Sequence, residues 1–465
     1  MLFKRNHILS ALSALILAVT FLYSCSPVDL EFDPTPSPGR SEESETVRIP
    51  GKEYRNVFIM YSMGFNDLRG YLAEDIRDVL SSPLSDNGRD IILIMSHIAE
   101  PFPKWPYFDP SIPVKPTLTK VSKNFDGSIR KDTLRVAGEN LILNESTVLT
   151  SAETFRNTLE YIRANFDAER YGILLSSHGS GWAPSGYISD PDVFDPQNSY
   201  DAGSFPIGLQ RRRIPAFRLQ REDEIPVKTI GVHYYTVDSS EEMEITDMAD
   251  AFPFKMDYII FDACFMGGIE VAYELRNVTD RIMFSQAEIL ADGMDYKRIS
   301  SYIFAENGPD LEGFCQRYYD HYNSLSGQSK SATISLIDCS KLEALARTTG
   351  EMIEKYRSGL ETLQNEKRST VQRYYQSKNQ EKQQWFYDFG DIIEKCGLTE
   401  EDKQIFNESL SAAVTYKAAT PWFLSDFAIK KHSGLSMYLP FTQKRDYLNN
   451  FYKTLEWNQA VGLVQ

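Results

Sequence analysis

Two residues in this 465-residue chain stand where reactive chemistry can be done. His178 closes the apolar run Tyr171-Gly172-Ile173-Leu174-Leu175-Ser176-Ser177 and is followed by Gly179-Ser180-Gly181-Trp182. Cys264, 86 residues later, closes the run Ile259-Ile260-Phe261-Asp262-Ala263 and is followed by Phe265-Met266-Gly267-Gly268. A thiol with a pKa near ~8.5 is mostly protonated at neutral pH, so a nucleophilic Cys needs a cationic neighbour or a helix start to favour its thiolate. Both are within reach of Cys264. Gly267-Gly268-Ile269-Glu270-Val271-Ala272-Tyr273-Glu274-Leu275 reads as the start of a helix whose amino-terminal dipole favours negative charge, and His178 can protonate a leaving amine or stabilise the thiolate as an imidazolium. Gly179, without a Cβ, lets a carbonyl approach its N–H, and the Cys264 N–H is the second candidate donor for an oxyanion.

Each motif also has an ordinary reading. A His before Gly at a strand end is commonly a hydrogen-bonded structural residue, and a Cys in an apolar run is commonly packing. Their joint order and matching strand context favour a catalytic pair. His97, His233, His321 and His432 lack a flanking Gly, and no Asp or Asn is marked by its sequence context to complete a triad, so no third catalytic member is assigned.

The motifs His178-Gly179-Ser180-Gly181-Trp182 and Asp262-Ala263-Cys264-Phe265-Met266, each after an apolar strand, resemble those of the clostripain family of cysteine peptidases in the caspase-like clan. Ser285-Gln286-Ala287-Glu288 and Gly434-Leu435-Ser436-Met437-Tyr438-Leu439-Pro440 also look familial, and the resemblance spans roughly residues 50–445. It implies a caspase-like three-layer α/β/α sandwich with a mostly parallel central sheet, and an endopeptidase that works with a His-Cys dyad. It also implies substrate-binding acids at Asp262 and Asp292, a pair that would select Arg or Lys by charge. The ordinary alternatives are a strand-end hydrogen-bonding group for Asp262 and a turn residue for Asp292. The chain departs from the family after Ser285, where Ile289-Leu290-Ala291-Asp292-Gly293-Met294-Asp295-Tyr296 replaces a Pro-Gly-rich turn and a Trp.

In relatives, the region between the two motifs is where self-cleavage activates the enzyme. Here it holds Arg211-Arg212-Arg213, with Arg218 and Arg221, which reads either as first substrate and temporary plug or as a solvated loop. Asp190, Asp192 and Asp195 offer oxygen ligands of the kind calcium prefers, and some relatives depend on calcium. They lack the spacing of a regular calcium loop, so no metal is assigned and no cofactor is required. The other readings are an inactive caspase-like lipoprotein that binds peptide or glycan, and a thiol acyltransferase or transpeptidase using the same dyad.

The ends of the chain suggest a location. Lys4 and Arg5 precede an apolar stretch over 8–22 that is too short for a membrane span and reads as a secretory signal. It ends in Leu22-Tyr23-Ser24-Cys25, which resembles the bacterial lipoprotein box and implies acylation of Cys25. An ordinary secreted protein is the alternative. The expectation is a monomer held by lipid on the bacterial cell envelope, at the outer membrane or cell surface. A net charge of −16 argues against nucleic acid as a partner and favours basic peptides. Cys315, Cys339 and Cys396 show no metal-ligand spacing, and Cys315 sits on an apolar stripe as a buried thiol.

The elements that must position these residues follow from periodicity. Residues 56–63 and 90–97 read as strands around a helix over 67–80 capped by Asn66, residues 101–116 as a Pro-rich loop, and 151–166 as a helix feeding the His178 strand. Residues 183–230 read as a loop, 232–238 as a strand, 241–252 as a helix feeding the Cys264 strand, and 281–287 and 331–338 as further strands. The division expected is a signal over 1–25, a disordered stalk over 26–50, and a catalytic domain over 51–339. A helical subdomain over 340–430 and a final core strand and helix over 431–465 complete it.

Overall fold

The structure, a computed structural model, describes residues 53–84, 88–98, 112–124, 126–136, 140–187, 233–236, 239–375, 385–442 and 445–465. Its centre is a nine-stranded sheet. In chain order the strands are β1 (Tyr54–Ser62), β2 (Asp90–Ser96), β3 (Thr117–Lys123), β4 (Ile129–Thr133) and β5 (Ala168–Ser176). After a small hairpin, β6 (His233–Thr236) and β7 (Ser239–Glu241), come β8 (Met256–Asp262), β9 (Thr279–Phe284) and β10 (Thr333–Asp338). The two-residue β11 (Tyr387–Asp388) lies apart, and β12 (Val414–Ala419) returns to the sheet. The spatial order is β12-β10-β9-β8-β5-β1-β2-β3-β4.

The middle five strands are mutually parallel, and the pairs at either side are antiparallel. The parallel strands are near-continuous apolar runs because both their faces are covered. From Val57 to Ser62, every residue of β1 is buried. At the edge, β4 reads Ile-Arg-Lys-Asp-Thr and has no buried residue, as a half-solvated edge strand should.

Helices α1 (Arg69–Ser81), α2 (Ala152–Asn165), α3 (Ile245–Ala251) and α4 (Ile269–Leu275) connect the central strands. The chain passes from β1 to β2 on one side, then returns past β1 to β5, β8 and β9 on the other. Right-handed crossovers therefore put α1 on one face and α2, α3 and α4 on the opposite face. The packing agrees, since α2 touches α3 and α3 touches α4, while α1 packs on the Tyr296–Arg298 turn. The reversal falls between β1 and β5, and ligands in such sheets bind beyond the strand ends at that point.

Several boundaries differ from the sequence reading for local reasons. Asn66 does not cap α1, which begins at Arg69 after Leu68. Its side chain instead builds the turn before the helix, with Oδ1 accepting from Leu68 N at 2.9 Å and Nδ2 donating to Met63 O at 2.9 Å. The hairpin β3–β4 escaped notice because its charged residues blur the alternation. The helical subdomain expected over 340–430 is not purely helical, because β12 falls inside it and its pairing with β10 makes that stretch part of the central sheet. The final core strand expected within 431–465 is two residues long, Ser436–Met437, and pairs with β11 outside the central sheet.

Glu270, in the first turn of α4, is fully buried and fastens the C-terminal region to the helix behind the Cys264 loop. Its Oε1 accepts from Tyr438 N and from Tyr452 Oη, both at 2.7 Å. Burial pushes its carboxyl up to about 7, even though those hydrogen bonds oppose the shift. A carboxyl raised on folding binds more protons folded than unfolded, so it lowers stability as pH rises from its unfolded value of 4.5 towards about 7. Glu270→Gln is therefore expected to flatten the fall in thermal midpoint across that interval, measured by calorimetry at stepped pH.

Candidate active site

Strand register brings the two candidate residues together. β5 and β8 pair in parallel with Ser176 opposite Asp262, so His178 and Cys264 each stand two residues beyond matched positions on adjacent strands. The loops meet at the backbone. A Cβ placed on Gly179 would lie 2.1 Å from Cys264 O and 2.7 Å from Cys264 N, so only glycine permits this approach. His178 and Cys264 are both buried.

The Cys264 loop is shaped by its neighbour on the other side. Residues 285–289, which continue from β9, are laced to it: Phe265 N donates to Ala287 O at 3.1 Å and Gly267 N to Ser285 O at 2.7 Å. Ile289 N donates to Cys264 Sγ at 3.1 Å. Phe265 is held at φ 60°, a left-handed conformation that costs a non-glycine residue about 1–3 kcal/mol and persists only where the surroundings impose it. Its ring stacks on Phe386 at 4.7 Å and meets Tyr375 edge-on at 5.2 Å, packing that offsets the strain. Helix α4 starts only at Ile269, five residues past the sulfur. Ile289 stands at the sulfur where a helix start was expected, its N–H donating to Sγ and its carbonyl oxygen accepting from the thiol at 3.7 Å.

A third group joins His178, which sequence reasoning missed. Asp67, in the loop after β1, places Oδ1 2.6 Å from His178 Nε2. Burial works to raise the Asp67 carboxyl, but the charge and hydrogen bond of His178 outweigh it and hold the group below the usual range. Asp67 lies 111 residues before His178, and its only signal in the sequence is its position just past an apolar strand end, the same context that marks His178 and Cys264.

Of the two candidate specificity acids, Asp262 is enclosed. It accepts from Ser176 Oγ at 2.9 Å and from Tyr296 Oη. Asp292 is exposed, and its charge raises the hydroxyl pKa of Tyr71, an effect second to burial. The next residue is fixed from below, where Tyr322 Oη donates to Gly293 O at 2.7 Å. Cys25, Asp190, Asp192, Asp195 and Arg211, Arg212 and Arg213 lie outside the described residues.

The remaining candidates are structural. Cys315, Cys339 and Cys396 are buried and unpaired, with burial pushing Cys315 well above the usual thiol value and Cys339 and Cys396 up to about 12. His432 Nδ1 bonds Tyr374 Oη at 2.9 Å in the interior. Among the described residues, no group of three His, Cys, Asp or Glu could hold a metal, and no helix is long and apolar enough to cross a membrane.

The family model for clostripain matches residues 60–204 and 219–462, which covers both strand-end motifs and breaks only over the stretch containing Arg211-Arg212-Arg213. The chain belongs to the clostripain family. It is a cysteine-type peptidase. The clostripain fold recurs in solved structures. An inactive zymogen C11 protease from Parabacteroides distasonis aligns with TM-score 0.65 and 27% identity, over 89% of this chain and 99% of that one. A secreted C11 cysteine protease from Bacteroides thetaiotaomicron aligns with TM-score 0.63 and 23% identity, over 88% and 99%. The structure of a secreted C11 cysteine protease from Bacteroides thetaiotaomicron in complex with an irreversible peptide inhibitor gives 0.62 and 20%, over 88% and 99%. No curated protein matches the chain.

Two substitutions test the geometry of this clostripain-family site. Asp67→Asn should lower kcat by about 10²–10⁴, the range supplied by a correctly held acid–base group, while KM changes little. Gly179→Ala should remove turnover because its methyl has no room beside the Cys264 backbone. Circular dichroism should show both proteins folded.

Proposed function

We propose that this clostripain-family peptidase cuts peptide bonds after Arg or Lys, with Cys264 as nucleophile and His178 as acid–base partner. The observation that supports it most directly is the matched register of β5 and β8, with Gly179 against the Cys264 backbone. Sγ attacks the scissile carbonyl carbon, and the oxygen takes up charge beside the N–H groups of Gly179 and Cys264. Asp67 occupies His178 Nε2, which assigns proton delivery to Nδ1. The leaving amine takes that proton as the C–N bond breaks, and water then hydrolyses the thioester. Ile289 holds the sulfur in place, its N–H donating to Sγ at 3.1 Å and its carbonyl oxygen accepting from the thiol at 3.7 Å.

The preference for a basic residue rests on the two aspartates at different depths. Asp292 is the accessible carboxylate, beside Tyr71, and would pair directly with a guanidinium or ammonium. Asp262, enclosed behind it by Ser176 and Tyr296, would add its charge from the interior. At the chain's start, the Leu22-Tyr23-Ser24-Cys25 sequence supports acylation at Cys25 and attachment to the cell envelope. The Arg211-Arg212-Arg213 island is a basic stretch such an enzyme could cut in itself.

A panel of fluorogenic peptides varying the residue before the cut, presented to protein lacking residues 1–25, tests the reading. Cys264→Ala should abolish turnover, and Asp292→Asn should reduce the preference for Arg and Lys by about 10- to 100-fold, the worth of a charged hydrogen bond. A reporter cleaved equally by parent and Cys264→Ala would overturn the dyad. A parent indifferent to the charge of the residue before the cut would overturn the specificity alone.

A further inference from the structure

His233, Glu242 and Glu244 grip both loops that meet at His178. His233 stacks on Phe65 with ring centroids 4.7 Å apart, and Phe65 stands two residues before Asp67. His97 completes a cluster of three rings, 4.6 Å from Phe65 and 5.4 Å from His233. Two carboxylates fasten backbone amides of the loop that His178 begins. Glu242 Oε2 accepts from Gly186 N at 3.0 Å, and Glu244 Oε1 accepts from Ser185 N at 2.8 Å. The intervening Met243 is buried.

That loop is a stiff lever. Trp182 and Tyr187 within it are fully buried, Trp182 against Tyr438 and Tyr452, and Tyr187 against Trp385. A displacement at Ser185 or Gly186 is therefore carried back to His178 rather than absorbed.

We propose that Glu242 is a positioning residue for His178, and that with His233 and Glu244 it clamps the two loops that carry the His178–Asp67 pair. The inference rests on the acid–base role given to His178 above. The charge environment supports the geometry. Burial raises the Glu242 carboxyl, against which the Gly186 amide and the nearby His178 act to lower it. Glu244 faces the same cluster and is raised to about 7, by burial first and also by Glu242 and Asp247. His178 thus has an acid on each side, Asp67 in direct contact and Glu242 reached through the loop.

The test separates charge from scaffolding. Glu242→Gln keeps an oxygen for the Gly186 amide and removes the charge. It should lower kcat by roughly tenfold, a part of the 10²–10⁴ a positioned acid supplies, with KM within about twofold, and should move the neutral limb of the pH–rate profile to lower pH. His233→Ala should lower kcat, and His233→Phe, which preserves the ring stack, should restore it. A Glu242→Gln protein with the kcat and pH profile of the parent would overturn the proposal, as would a His233→Ala protein of full activity. Full activity in His178→Ala would instead sink the dyad itself, so the two failures are distinguishable.

Discussion

Everything at this site depends on one backbone contact, that of Gly179 with Cys264. Parallel pairing with Ser176 opposite Asp262 aligns the ends of β5 and β8, but register alone only makes the two residues neighbours. The missing Cβ at residue 179 lets the two strand ends close to contact, the approach that the proposed oxyanion role of the Gly179 and Cys264 amides needs. The same closeness explains why so much of the surrounding structure holds the Cys264 loop in place.

That restraint is visible as strain and its compensation. Phe265 adopts a left-handed conformation that its side chain disfavours, and the ladder from residues 285–289 together with the stack on Phe386 imposes it. Behind the loop, Glu270 joins α4 to Tyr438 and Tyr452. The C-terminal region thus backs the Cys264 loop, while Asp67 contacts the His178 imidazole and Glu242 and Glu244 hold the loop that follows it. Each reactive group is held by elements distant in the chain, which is what a positioned acid–base pair requires.

The parallel centre of the sheet was legible because buried strands must be continuous apolar runs, and both reactive residues stood at the ends of such runs. The third member was not. Asp67 meets His178 only because the chain reverses direction in the sheet between β1 and β5, and nothing in a spacing of 111 residues encodes that reversal. The helix after Cys264 starts two residues later than its glycines suggest, and the sulfur receives the Ile289 amide. Register across three strands decides that contact, and periodicity along one strand cannot supply it. Asn66 shows the same limit on a smaller scale, since a turn-forming and a helix-capping Asn look alike in sequence.

The central claim is that His178 and Cys264 act on one another. The rate at which a thiol-directed electrophile carrying a basic peptide modifies the protein, followed by intact mass with the site mapped by peptide sequencing, tests it most directly. The account predicts a single adduct on Cys264, formed about 100-fold more slowly in His178→Ala than in the parent. Modification at Cys315, Cys339 or Cys396, or a rate on Cys264 indifferent to His178, would contradict it.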